Sequence, residues 1–106
     1  MVIVMVTIDL PASMTREQFL AHSRVTAEHW KENQQLLHKT YLYDPQTRQG
    51  GALFLWQDRA AAERALGDAW RRQMIQFYGS EPALRYFEAP LAIYGGGKLG
   101  VVGEIA

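Results

Sequence analysis

Two histidines, His22 and His29, lie in a stretch whose apolar residues recur with the spacing of a helix. They are seven residues apart, so a helix places them on nearly the same flank, about 10 Å apart along its axis. That distance is too long for easy joint metal binding. Because histidine titrates near neutral pH, either residue has the chemistry of a proton-accepting base. The alternative is that both are solvated histidines at the edge of a helix face.

Asn33 follows His29 by about one helical turn and extends the polar flank. Its side-chain amide can orient a carbonyl or a phenolate by hydrogen bonding. An asparagine near a helix end also serves as a C-cap, and the sequence leaves both interpretations open. The candidate catalytic residues are therefore His22, His29 and Asn33.

Trp30 is the candidate for an aromatic wall beside these polar groups. The chain has 3 tryptophans in 106 residues, and each offers a large flat surface with one N–H donor. Trp30 shares its helix face with Ser23 and Thr26, which are too polar for a tightly packed core alone, so we expect this face to cover a cavity. Trp56 and Trp70 fit either core packing or a pocket wall.

The strand predicted over residues 36–43 carries further polar groups. Period-two alternation places four residues on one face: Leu37, Lys39, Tyr41 and Tyr43. If that face lines a pocket, Lys39 and Tyr41 offer a cation and a phenol to an anionic substrate. If it faces a partner subunit, Lys39 pairs with an acid there. The candidate substrate-binding residues are Trp30, Lys39, Tyr41 and Trp56.

The elements that must position these residues begin with a strand and a long helix. Residues 2–9 are rich in Val and Ile, are too short for a stable helix and are closed by Pro11, which predicts a strand. Thr15 followed by Gln18 is a capping-box signature, and the twenty residues after Thr15 contain neither Gly nor Pro. A helix is therefore predicted to begin there.

Residues 36–43 and 51–56 are predicted to form a hairpin. The connecting segment DPQTRQG and the Gly-Gly pair that begins at Gly50 are both explained by turn chemistry. In this interpretation the hairpin supplies the floor of the pocket through Tyr41 and Trp56, and the helix before it supplies the reactive groups.

The second half of the chain predicts one more helical segment and one more strand. Asp58 can cap a helix that starts at Arg59, and a break near Gly67 divides the helical pattern. Residues 83–94 are predicted to form the fourth strand, where Pro90 indicates an edge position or a bulge. The order β-α-β-β-α-β predicts an α+β, ferredoxin-like fold with an antiparallel sheet covered by helices on one face.

The open face of this sheet predicts a homodimer. The strands are apolar on both sides, so a monomer would expose a large apolar patch that a second copy would cover. Residues 1–94 form the predicted single domain, and residues 95–106 form a Gly-rich, flexible C-terminal tail. The tail contains GGGKLG, but no βαβ unit surrounds it, so it does not predict a nucleotide site.

Composition limits the remaining classes of function. A formal net charge of zero argues against non-specific nucleic-acid binding. The absence of cysteine excludes a disulfide framework and suits the cytoplasm. The apolar start is interrupted by Asp9 and Pro11, which argues against a signal peptide. No apolar stretch is long enough to span a membrane.

The segments HKTYLYD, GGALFLW and DRAAAERAL resemble those of the small dimeric α+β-barrel proteins identified as cofactor-independent monooxygenases. The resemblance extends over most of residues 2–93. It implies a homodimer that uses no cofactor, neither metal nor flavin. It also implies a pocket that stabilises the carbanion or phenolate of a small aromatic or polyketide-like substrate for direct reaction with dioxygen.

Two alternatives stay open. The opening MVTIDLPASM resembles the start of the lactone isomerases of the same superfamily, which implies a pocket that works without oxygen. A non-catalytic dimer that binds a small apolar ligand would explain the aromatic residues without any catalytic histidine.

Overall fold

The computed structural model describes residues 1–96, 98–101 and 104–105. The elements in chain order are β1 Val2–Asp9, α1 Arg16–Trp30, β2 Leu36–Asp44, β3 Gln49–Trp56, α2 Arg59–Ala65, α3 Asp68–Tyr78, β4 Ala83–Glu88, β5 Leu91–Tyr94, β6 Lys98–Val101 and β7 Glu104–Ile105. The first four strands form an antiparallel sheet in the order β2-β3-β1-β4, and β5, β6 and β7 form a second sheet. The predicted α+β, ferredoxin-like class is confirmed.

Helix α1 begins with the predicted capping box. The Thr15 hydroxyl accepts a hydrogen bond from the Gln18 N–H at 3.1 Å, and the Gln18 side chain accepts one from the Thr15 N–H at 2.9 Å. Two of the free N–H groups at the helix start are thereby satisfied. Phe19 and Ser23 are buried on the inner side, and the Ser23 hydroxyl donates back to the Phe19 carbonyl at 2.8 Å. A polar residue is thus accommodated without a tertiary partner.

The second helical segment is divided at Gly67, as the sequence predicts. The Asp58 carboxylate accepts from the Ala61 N–H at 2.8 Å and caps α2. Helix α3 ends at Gly79, whose φ of 79° is the left-handed conformation that glycine adopts without strain. No helix of the described residues is long and apolar enough to span a bilayer.

The main core lies between the inner face of the sheet and helix α2. Its buried residues are Val4, Val6, Ala52, Phe54, Trp56, Ala61, Ala62 and Leu66. A second cluster joins the other end of the sheet to α1 and α3 through Ile8, Leu10, Phe19 and Tyr78. The helices are therefore held at the two ends of the same sheet face.

The Gly-Gly pair does not form the hairpin turn, and that part of the prediction was wrong. Both glycines lie inside β3, where a Cβ on Gly50 would be 2.7 Å from the ring of Phe19 and a Cβ on Gly51 would be 1.9 Å from the Val6 carbonyl oxygen. The glycines are required by close packing. The turn itself is stabilised by the Asp44 carboxylate, which accepts hydrogen bonds from the N–H groups of Gln46 and Thr47.

Arg48 ties the hairpin to the loop before α1, a contact that the sequence did not predict. It has a φ of 58°, and its guanidinium donates to the carbonyls of Pro11, Ala12 and Met14 at 3.2, 3.2 and 2.6 Å. All three bonds come from the Nη2 nitrogen, so one end of the guanidinium holds three carbonyls of the same loop.

The strand predicted over residues 83–94 is two strands. The chain leaves the main sheet at Ala89 and Pro90, and β5 then pairs with β6. Pro90 thus marks the end of pairing in the main sheet. Strand β6 lies in the segment expected to be a flexible tail, and residues 97, 102, 103 and 106 of that segment lie outside the described residues.

A register shift in β2 between Leu36 and His38 sets the orientation of the rest of the strand. Leu36 packs on the main core, whereas Leu37 packs with Met1 and Leu55 on the opposite face of the sheet. Simple alternation, which grouped Leu37 with Lys39, was therefore wrong at this point. After the irregularity, Lys39 lies on the helix-covered face.

We expect the substitution Gly51→Ala to lower the free energy of unfolding by about 1–3 kcal/mol, because the added methyl group overlaps the Val6 carbonyl. Urea denaturation followed by circular dichroism measures the change. Gly95→Ala is the control, since a Cβ at Gly95 has no atom within 4 Å. Equal stability of the two variants would contradict the close approach.

Candidate functional site

A cavity of about 840 Å³ lies between the inner face of the sheet and helices α1 and α3. Its size is in the range of pockets that enclose a small molecule. Helix α1 contributes Phe19, His22, Thr26 and Trp30, the sheet contributes Lys39, Tyr41 and Phe54, and α3 contributes Trp70, Met74 and Phe77. Phe, Tyr and Trp side chains thus contribute to the cavity wall from both helices and from the sheet.

Lys39 is the cation of this cavity. Its Nζ lies 4.2 Å from the ring centre of Tyr41 and 4.5 Å from those of Trp30 and Phe54. Burial lowers the pKa of Lys39 from 10.5 to about 7. The three aromatic faces act in the opposite direction because they favour the ammonium form. The amine and the ammonium are therefore both populated near neutral pH.

Thr26 and Tyr41 form a hydroxyl pair beside Lys39. The two oxygens are 2.7 Å apart, and the Thr26 hydroxyl also donates to the Ser23 carbonyl at 3.0 Å. Because a threonine hydroxyl has one proton, Tyr41 is the donor to Thr26. Burial raises the pKa of Tyr41, and the bond to Thr26 partly opposes that shift. Tyr41 is thus a neutral phenol with its remaining lone pair available.

His22 is half-buried and fixed by aromatic contacts. Its ring stacks on Phe77 with a centroid distance of 3.6 Å and meets the ring of Tyr78 edge-on at 5.5 Å. Burial lowers the pKa of His22, and the positive charge of Lys39 lowers it further. The imidazole is therefore neutral at physiological pH, the form that accepts a proton.

His29 and Asn33 line the cavity near its rim. His29 is exposed and meets the Trp30 ring edge-on at 5.6 Å. Asn33 follows the end of α1, and its Oδ1 accepts from the Gln35 N–H at 3.0 Å. The C-cap of α1 is Lys31, so the alternative role of Asn33 as a C-cap was wrong. The bond to Gln35 is an Asx-type turn before β2, and the Nδ2 donors of Asn33 are left for other partners. The sequence placed His22, His29 and Asn33 on one flank, and all three border the same cavity.

The predicted wall and floor residues are placed differently. Trp30, Lys39 and Tyr41 line the cavity, whereas Trp56 is fully buried behind it. The Trp56 ring lies 5.9 Å from that of Phe54 and 6.2 Å from that of Trp30, so it supports the wall from the core side. Within the described residues its Nε1 has no hydrogen-bond partner. Trp56 therefore acts on a ligand only through the residues in front of it.

Helix α3 supplies a wall of which sequence reasoning named only Trp70, as one of two alternatives, and missed Met74 and Phe77. Trp70, Met74 and Phe77 lie on the same side of the helix and border the cavity. Their spacing of four and then three residues is the signal of an apolar helical stripe and was available in the sequence. The pattern does not itself distinguish a stripe that packs in the core from one that lines a pocket.

The polar groups can accept a proton and hold an anion. His22 offers a neutral imidazole, Lys39 offers an amine that becomes an ammonium beside an anion, and Asn33 offers N–H donors. Among the described residues, no group of three or more metal-binding side chains is close enough together to hold a metal ion. No aspartate or glutamate of the described chain lines the cavity.

The fold is similar to that of a solved structure. The crystal structure of a putative antibiotic biosynthesis monooxygenase from Deinococcus radiodurans superposes with a TM-score of 0.65 at 19% sequence identity, covering 92% of this chain and 100% of that one. At this identity the likeness establishes the fold alone. No protein-family model matches the chain. No curated protein matches it.

We expect the stability of the natural chain, compared with Lys39→Met, to rise with pH between about 7 and 10.5. In this range the unfolded chain keeps a proton on Lys39 that the folded chain has lost, so raising the pH favours the folded state. Urea unfolding at pH 7.5, 8.5 and 9.5 measures the difference.

Lys31→Met is the matched control, because Lys31 is exposed and paired with Glu28 at 2.9 Å. Its stability difference from the natural chain should stay constant over the same pH values. A constant difference for Lys39→Met as well would show that burial does not lower the Lys39 pKa.

Proposed function

We propose that this protein is a small cofactor-independent monooxygenase that acts on an aromatic or polyketide-like small molecule. The observation that carries the proposal is the aromatic-walled cavity, in which a neutral imidazole and a buried amine face the same space. Such a cavity suits a flat substrate that must lose a proton and be held as an anion. The likeness to a putative monooxygenase of the same fold agrees with this proposal.

Binding of the substrate is the first step. A flat ring system fits between the aromatic walls of α1 and α3, and the oxygen that becomes a phenolate or enolate faces Lys39. A negative charge close to the amine raises its pKa, so Lys39 takes the ammonium form and neutralises the anion. Tyr41 and Thr26 hold the amine's position, since the Tyr41 ring lies directly beneath Nζ.

Removal of the proton falls to His22 in this proposal. The imidazole is neutral and held by the rings of Phe77 and Tyr78, so its orientation is fixed before the substrate arrives. His29 is the second candidate base and lies near the rim. The free Nδ2 of Asn33 donates to a substrate carbonyl and thereby disperses charge in the carbanion.

Dioxygen then reacts with the substrate anion. For an anthrone-type CH₂ group, both C–H bonds break and the carbon supplies the electrons. One oxygen atom becomes the new carbonyl and the other leaves in water with the two hydrogens. The substrate CH₂ plus O₂ therefore balances the product C=O plus H₂O. The aromatic walls contribute by excluding water from the reactive anion.

A homodimer is the second part of the proposal. Val4, Val6 and Ile8 point to the helices, so the alternate residues of β1 point to the opposite, helix-free face. Phe87 pairs with Ile3 in the neighbouring strand and is 40% exposed on that face. Burying such apolar surface favours association. A second copy of the chain would cover it and complete the dimeric barrel.

We expect the metal-free protein to consume oxygen in the presence of a phenol, quinol or anthrone substrate. His22→Asn should lower the turnover rate about 10²–10⁴-fold by removing the base. Lys39→Met should lower it about 10²–10³-fold by removing the cation beside the anion. An oxygen electrode measures uptake, and Lys31→Met is the control that should keep full activity.

The same substrates under anaerobic conditions distinguish the alternatives. Equal turnover without oxygen would indicate that the protein is an isomerase and not an oxygenase. Tight binding without any turnover, unchanged when His22, His29 and Asn33 are substituted together, would indicate a non-catalytic ligand-binding protein.

We expect the natural chain to sediment as a dimer and Phe87→Glu to sediment as a monomer, since the new carboxylate would be buried in the interface. Sedimentation equilibrium measures the mass. Ala21→Glu, on the exposed side of α1, is the control that should remain dimeric. A natural chain that stays monomeric at high concentration would contradict the proposed assembly.

A further inference from the structure

We propose that Lys39 is a covalent binding site for carbonyl compounds, in which its ε-amino group forms a reversible imine with the aldehyde or ketone of a flat aromatic ligand seated in the cavity. The proposal goes beyond the oxygenase function, because imine formation needs neither oxygen nor proton removal from carbon. It makes an aromatic carbonyl compound a ligand class of this pocket.

The position of the amine supports this role. Lys39 is only partly buried and borders the cavity, so its Nζ is removed from bulk water yet open to a ligand in the pocket. The aromatic rings of Trp30, Tyr41 and Phe54 surround Nζ at 4.2–4.5 Å. The same surfaces can stack against an aromatic aldehyde and bring its carbonyl carbon to the amine.

The charges around Lys39 keep part of the amine unprotonated. No carboxylate of the described residues forms an ion pair with it, and none lines the cavity. The titratable groups that face the cavity are His22 and His29 of α1, Tyr41 of β2 and Tyr78 of α3. An imidazole carries no negative charge, and burial raises the pKa of both tyrosines, so none of these groups stabilises the ammonium form as a carboxylate would. Lys39 thus differs from Lys31, whose ammonium is paired with Glu28.

The reaction balances without a further reactant. The lone pair of the neutral Nζ forms a bond to the carbonyl carbon, and the C=O electron pair moves to oxygen. The resulting carbinolamine loses the oxygen and two protons as water, which leaves a C=N bond. His22 lines the same cavity and can carry protons during this dehydration. Once protonated, the imine keeps a cation among the three aromatic faces.

Reductive trapping tests the proposal. The intact protein is incubated with 2-naphthaldehyde, reduced with cyanoborohydride and digested, and peptide mass spectrometry then compares the modification of Lys39 with that of Lys31. We expect the modification of Lys39 to be about 10-fold faster or more, because a desolvated lysine has a larger fraction of neutral amine than an exposed one. Its rate should be half-maximal near pH 7, where Lys39 loses its proton.

Lys39→Arg keeps a cation but cannot form the imine, and it should lose the fast modification while the far-ultraviolet spectrum stays native. Lys31→Arg should leave the modification of Lys39 unchanged. Equal rates at Lys39 and Lys31 in the natural chain, or no modification of Lys39, would overturn the proposal. Oxygen uptake is measured separately, so a failure of trapping is distinguishable from a failure of the oxygenase function.

Discussion

The structure around the cavity depends on one constraint, which is that Lys39 is held away from bulk water and that no carboxylate of the described residues pairs with it. Burial of an ammonium without a counter-charge is unfavourable, and the chain offsets this cost with aromatic faces. The ring of Trp30 comes from α1, that of Tyr41 from the same strand as the lysine and that of Phe54 from the neighbouring strand. Three separate elements must therefore pack together before the amine has its surroundings.

The supporting contacts extend outwards from this centre. Tyr41 is fixed by Thr26, which in turn donates to the carbonyl of Ser23 one turn earlier in α1. Trp56 packs behind both Trp30 and Phe54 and keeps their edges in place. The result is a site in which the positions of Lys39 and Tyr41 are determined by a continuous core. Such preorganisation favours a reaction that needs a fixed geometry more than it needs many functional groups.

Much of the architecture could be predicted because it depends on local signals. The Thr15–Gln18 capping box, the Asp58 cap and the break at Gly67 each report on residues close in sequence. The flank of α1 could also be predicted, since helical periodicity alone puts its polar residues together. The wall formed by α3 could not be predicted, because the apolar stripe of Trp70, Met74 and Phe77 has the same spacing whether it packs in a core or lines a cavity.

The errors have the same physical origin, which is contact between distant parts of the chain. Gly-Gly was assigned to a turn because turns favour glycine, whereas here the need for glycine comes from Phe19 and Val6, which belong to other elements. Leu37 was assigned to the face of Lys39 because alternation was assumed to be unbroken through an irregular register. Trp56 was assigned to the pocket floor because the sequence does not show that Trp30 and Phe54 pack against its ring.

Gly51 borders the cavity with its backbone alone, and this limits which substitutions can change the shape of the pocket. The Val6 carbonyl leaves no room for a side chain at that position, so the sheet wall cannot be reshaped there by single substitutions. Residues such as Val25 and Gln76, which border the cavity from the helices, have no such restriction. New ligand preferences should therefore arise more readily by changes on the helices than by a change at Gly51 of the sheet.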